Sequence, residues 1–243
     1  MTPVRLPPPS KLALAAELPR ALGTLVDAAV NRSVLRAAPK GDGRPVLVLP
    51  GVATGDGSVR PMAHFLSKLG YRAETWQLGM NRGTPTIGAE AEHLIARVTA
   101  LAERDGSSVT LIGVSLGGIM ARLAAHRGPS LVREVVTICS PYAADARATN
   151  AWRTYQLLSG ERVDDPAVAA RLVEARRPLP VPATAIWSRN DGMVNPAACF
   201  VADEPGLRIV AVDGGHLLVH LRPSVWLFVA QLLAGEAPAA LPG

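Results

Sequence analysis

Cysteine, lysine and aromatic residues are all scarce in this sequence. Two cysteines, Cys139 and Cys199, stand among 243 residues. That is too few for a disulfide framework, and no C-x-x-C or Cys/His spacing offers a metal site. Both read as buried thiols. Lysine occurs only at positions 11, 40 and 68, so the net charge of +5 rests on arginines spread along the whole chain. With aromatics at 4% and none interleaved with a basic cluster, nucleic acid is not an expected partner and the basicity reads as a solvated surface. No apolar run reaches the roughly 18 residues of a membrane span. The apolar run over 12–16 is cut short by Glu17 and Pro19, too soon for the core of a signal peptide, so a cytoplasmic location is expected.

What the chain has instead is apolar residues, 49% against 19% charged, which excludes disorder and supplies a core for one domain. Residues 1–10 are Pro-rich and expected to be loose. Within 11–37 one or two amphipathic helices are expected, with Leu18, Leu22, Leu25 and Val26 sharing a face. Strands and helices then alternate. Strands are expected at 45–49, 72–77, 109–113, 135–139, 183–187 and 207–212. Helices are expected from Ser58 to Gly70, over 86–104, from the second Gly-rich turn to about His126, and from Pro223 to Leu233. The rhythm predicts an α/β fold, a mostly parallel six-stranded sheet with helices on both faces. Residues 141–180 carry two helical patterns and no strand, and are expected to form a small helical cap. The expected division is an N-terminal helical segment (1–43), the main domain (44–234) and a tail (235–243).

Ligands of such sheets bind beyond the carboxyl ends of the strands. After the strand at 109–113 the chain reads Gly113-Val114-Ser115-Leu116-Gly117, a G-x-S-x-G between an apolar strand and a helix. A sharp strand-to-helix turn there projects Ser115 Oγ above the sheet, with glycines where strand and helix cross closely. A serine hydroxyl needs a base to take its proton. His216 follows the last strand and is the leading candidate, with His220 one helical turn on as the alternative. His64 and His93 share helix faces with charged residues, and His126 sits in a last helical turn where the dipole favours a cation. Asp191, just past the strand at 183–187, is the leading carboxylate to orient the base, and Asp145 and Asp213 are its rivals. An oxyanion would be met by the backbone N–H of Leu116 and by that of Val52 in the loop after the first strand.

These segments together resemble the α/β-hydrolase superfamily. More closely, they resemble compact bacterial lipase- and esterase-like hydrolases that lack the first antiparallel strands. Pro50-Gly51 stands where many lipases carry His-Gly. The resemblance implies a serine hydrolase that cleaves a small-molecule carboxylic ester through an acyl-enzyme, with Ser115, His216 and Asp191 as its triad and no metal or organic cofactor. Acyltransferase, thioesterase and perhydrolase chemistry would use the same residues. A catalytically silent binding protein is the competing class. Met120 and Trp152 are the expected substrate contacts, the latter in a cap whose Tyr155, Leu157 and Leu158 are expected to face the main domain.

Overall fold

Two runs, Pro45–Leu49 (β1) and Val109–Val114 (β3), are buried at every position, as strands covered on both faces must be. They lie side by side in the middle of the sheet. In the computed structural model, which describes residues 4–236, the sheet is completed by Arg72–Thr75 (β2), Val132–Ile138 (β4), Ala183–Ser188 (β5) and Leu207–Val212 (β6). The strand order is β2-β1-β3-β4-β5-β6 and every pair is parallel. Residues 1–3, and 237–243 of the expected tail, lie outside the described residues.

Helices cover both faces. Asp56–Leu69 (α3) and Pro223–Leu233 (α9) pack on one side through residues such as Met62, Phe65, Leu66, Phe228 and Val229. Glu92–Asp105 (α5) and Leu116–Arg127 (α6) pack on the other through Leu94, Val98, Leu101 and Met120. Each such side chain contributes about 1.5–3 kcal/mol on burial. Since β2 lies on one side of β1 and β3 on the other, the order reverses at β1, and the crevice for a ligand opens above β1 and β3.

Several boundaries differ from the sequence reading. Helix α3 starts at Asp56, capped by Gly55, and the Ser58 hydroxyl turns back to bond Gly55 O at 2.8 Å. Strand β2 stops at Thr75 because Trp76 is buried, its indole N–H donating to Gly79 O at 3.0 Å, and Gln77 has a positive φ. The helix expected over 86–104 is two pieces, Thr84–Ile87 (α4) and α5, broken where Ala91 adopts φ 57°. Strand β4 begins three residues earlier than expected.

Between β4 and β5 stand Trp152–Ser159 (α7) and Pro166–Arg176 (α8), and no strand. Helix α8 packs on α6 through Val168 and Leu172 against Ile119 and Leu123. Beneath them the fully buried Arg122 donates to Ala175 O, Arg177 O and the Glu204 carboxylate, and lies 3.9 Å over the Tyr142 ring. Leu157 does not pack against the main domain; it is 84% exposed.

Nor do residues 4–9 hang free. Val4 forms a parallel bridge with Ala144, and Asn195 and Asn150 donate to Pro7 O and Pro9 O at 2.8 and 3.1 Å. Lys11–Ala15 (α1) and Glu17–Val30 (α2) follow, and the face shared by Leu18, Leu22, Leu25 and Val26 points away from the protein. Among the described residues no helix is long and apolar enough to cross a membrane.

Candidate active site

Ser115 sits at the point where β3 ends and α6 begins, with φ 52° and ψ −120°. A non-glycine residue holds that conformation only when its surroundings impose it. Here they do, through close crossing. A Cβ on Gly117 would lie 2.6 Å from both Leu49 O and Pro50 O, and one on Gly113 would collide with the backbone of Gly117 and Gly118. The glycines let helix, strand and the loop after β1 meet, and the serine absorbs the turn. Ser115 N–H donates to Ile138 O at 2.8 Å, tying the turn to β4.

Val52 and Leu116 both line the pocket above Ser115. The turns around them use neighbouring donors: Ala53 N–H bonds Asn81 O at 2.9 Å, Thr54 N–H bonds Gly51 O at 3.3 Å, and Gly118 N–H bonds Ser115 O at 3.0 Å. Asn81, fully buried, locks this loop. Its amide donates to Pro50 O at 2.8 Å, its N–H to Thr54 O at 2.8 Å, and its carbonyl oxygen Oδ1 accepts from Gly83 N–H at 3.0 Å. Leu78-Gly79-Met80-Asn81-Arg82-Gly83 is legible as a loop, but nothing in its residue types announces that Asn81 holds the loop after β1.

Asp191 and His216 meet directly. His216 Nδ1–H donates to Asp191 Oδ2 at 2.7 Å, and the other carboxylate oxygen accepts from Met193 N–H and Val194 N–H at 2.8 and 2.7 Å. With Nδ1 so engaged, Nε2 is the nitrogen left to exchange protons. Burial works against charge on this imidazole. The Asp191 charge and hydrogen bond, with the Glu17 charge behind them, outweigh burial and hold its pKa above the ordinary value. No hydrogen bond joins Ser115 Oγ to His216 among the described residues; such bonds commonly tighten only when substrate docks.

The rivals are placed elsewhere. Asp145 caps a short turn, accepting from Arg147 N–H at 2.9 Å, and the Asp213 carboxylate is 4.0 Å from Arg189. His220 is buried with Nε2–H donating to Ser58 O at 3.1 Å, and burial pushes its pKa down to about 4. His64 and His93 are exposed. His126 does not favour a cation: it is half-buried, and burial and the nearby Arg122 charge lower its pKa.

One residue of the assembly was invisible in the sequence. The Glu17 carboxylate, at the start of α2 and 2% exposed, accepts three backbone N–H bonds: Gly192 at 2.6 Å, His216 at 3.0 Å and Leu217 at 2.9 Å. It therefore clamps the loop that carries Asp191 to the loop that carries His216. Gly215 makes room for it, since a Cβ there would stand 2.5 Å from Glu17 Oε2.

Cys139, Asp191 and His216 place donor atoms within 4.8 Å of one another, a set that a metal would need as thiolate, carboxylate and free imidazole nitrogen. Burial raises the Cys139 thiol well above its usual pKa, and Nδ1 is already spent on Asp191. The trio fits a hydrogen-bonded His–Asp pair backed by a neutral thiol better than a metal centre.

The pocket over Ser115 holds about 810 Å³, its open mouth included. Leu116, Ile119 and Met120 form its floor with the serine, and α7 and α8 supply Trp152, Tyr155 and Leu172. Arg171 is the charged residue on its wall, and it is paired with Glu161, which also accepts from Tyr155 Oη and from Thr84 Oγ1 at 2.8 Å. Both expected substrate contacts, Met120 and Trp152, are on the lining.

The sequence matches no protein-family model and no curated protein. Solved structures do resemble it. A metagenome-derived lipolytic enzyme of the LipS and LipT work shares 19% identity at a TM-score of 0.60, over 82% of this chain and 95% of that one. A monoacylglycerol lipase of Paleococcus ferrophilus shares 13% at 0.58, over 82% and 96%. The thioesterase domain of the curacin biosynthetic pathway shares 14% at 0.54, over 81% and 93%. The chain has the α/β-hydrolase fold.

Proposed function

We propose that on this fold the chain works as a serine hydrolase, cleaving uncharged carboxylic esters of short to medium aliphatic acids through an acyl-enzyme. The observation that carries the reading is Ser115 itself, held at φ 52° on a helix N-terminus at the floor of an apolar pocket. Strain of that kind clusters at active sites, where it pre-organises a reacting group.

In this mechanism Ser115 Oγ attacks the ester carbonyl carbon while His216 Nε2 takes its proton. The negative charge that collects on the carbonyl oxygen is met by the N–H groups of Leu116 and Val52, both of which line the pocket. Asp191 stabilises the imidazolium through Nδ1. Collapse of the tetrahedral species breaks the ester C–O bond, and His216 returns the proton to the departing alcohol. Water, deprotonated by the same imidazole, then attacks the acyl-serine; the acyl C–Oγ bond breaks, the proton passes from His216 to Ser115 Oγ, and the acid leaves. The lining favours an uncharged acyl group, because the Arg171 charge is already balanced by Glu161.

A panel of p-nitrophenyl esters from acetyl to palmitoyl, run beside a thioester of the same acyl groups, tests the reading. Turnover of the shorter esters that is lost in a well-folded Ser115→Ala protein is the expected result, with a fall on the order of 10⁴-fold or more. Undiminished turnover in Ser115→Ala overturns it. A thioester preferred at every chain length moves the substrate class while keeping the triad.

A further inference from the structure

Helix α2 is built inside out. Its buried positions are Glu17, Ala21 and Thr24, and Asp27 at their edge pairs with Arg222 at 3.1 Å. Its outward face carries Leu18, Leu22, Leu25, Val26 and Val30, the first two 70% and 65% exposed and the last 71%. Every exposed residue of the helix is uncharged. Of the eleven exposed large apolar side chains among the described residues, eight fall between Val4 and Val34. A patch of this kind on one element marks a contact surface.

The charges nearby say what it contacts. Residues 4–40 hold six cations, Arg5, Lys11, Arg20, Arg32, Arg36 and Lys40, against two carboxylates, Glu17 and Asp27. Both carboxylates already have partners within the protein: Glu17 has three buried or half-buried backbone N–H groups, and Asp27 has Arg222 and Asn31. Lys11 stands exposed before the apolar face, and Arg32 and Arg36 stand exposed after it. We propose that the outward face of α2 docks on an anionic lipid surface, its leucines and valines entering the interface and the flanking cations meeting lipid headgroups. At 14 residues the helix is about 21 Å long, so it lies in the plane of the interface rather than across it. A second copy of the chain is the weaker occupant. Apposing two such helices head to tail sets Lys11 of one against Arg32 and Arg36 of the other. The inward clamp on Glu17 fixes the helix to the loop of His216, so the docked helix stays tied to that loop.

The test measures binding alone and stands apart from the proposed ester chemistry. The full chain is sedimented with vesicles of phosphatidylcholine mixed three to one with phosphatidylglycerol, and with phosphatidylcholine alone. The mixed vesicles are expected to bind at least about tenfold more strongly, with the preference fading as salt rises. The exposed-face double variant Leu22→Gln/Val26→Gln is expected to lose about tenfold or more of that binding with an unchanged melting temperature. Arg32→Gln/Arg36→Gln is expected to erase most of the preference for the anionic lipid. Absence of binding, equal binding to both vesicles, or a double variant that binds like the parent overturns the proposal. So does a dimer in analytical ultracentrifugation that Leu22→Gln/Val26→Gln dissolves, which would give the face to a second copy.

Discussion

The two halves of the candidate site are held in different ways. Ser115 is fixed by the middle of the sheet: β1, β3 and α6 cross so closely around it that glycine is required at Gly113 and Gly117. Asp191 and His216 sit on loops after β5 and β6, toward one edge of the sheet, where only Val212 of β6 is buried. The two strands pair up to Ser188 and Val212, and Ser188 Oγ donates to Gly214 O at 2.6 Å. Beyond the strands Glu17 adds a second tie, reaching in from a helix at the other end of the chain to bind backbone on both loops. The proposed nucleophile is positioned by the core, and the Asp191–His216 pair by the β5–β6 pairing together with an N-terminal clamp.

Substitutions at three residues sharpen that contrast. Asp191→Asn leaves the shape of the acid–base half intact and should cut kcat/KM on the order of 10⁴-fold, as an imidazole held in the wrong tautomer does. Steady-state kinetics with a melting curve checks this, and a larger loss in Asp145→Asn would move the acid.

Glu17→Ala frees both loops without touching a reacting group, and a fall in kcat on the order of 100-fold is expected from the misplacement. Glu17→Gln keeps the size but removes the charge. In the proposed mechanism the base is neutral His216, so kcat/KM should fall as pH drops through its pKa, which Asp191 and Glu17 hold above the ordinary imidazole value. Loss of the Glu17 charge lowers that pKa, so the acidic limb of the pH profile should move to lower pH. A limb that stays put in Glu17→Gln would reduce Glu17 to a purely structural support.

Trp152→Ala touches neither half. It should alter the acyl-length profile of kcat/KM by about tenfold between short and long esters, with little change in melting temperature. A large drop in melting temperature with an unaltered profile would make Trp152 part of the packing alone.

Much of the nucleophile half was legible in the sequence, and much of the other half was not. The runs 45–49 and 109–113 are apolar throughout, and G-x-S-x-G between strand and helix points to Ser115 by local pattern. The break between α4 and α5 was hidden because Ile87, Ala91 and Leu94 bury in the same cluster whether or not the helix is continuous. Glu17 and Asn81 were hidden for a different reason. Their partners are backbone groups, up to 200 residues away for Glu17, and side chain–backbone bonds leave no mark on residue types. Periodicity also showed that α2 has an apolar face without showing which way it turns. The opposite side turns inward, with Glu17, Ala21 and Thr24 buried and Asp27 paired with Arg222.

The most direct test of the account is labelling with an active-site phosphonate followed by peptide mass spectrometry. The account predicts one phosphonyl group per chain, on Ser115, formed far more slowly in His216→Ala. Labelling at another residue, or at Ser115 with a rate that His216→Ala leaves unchanged, would contradict it.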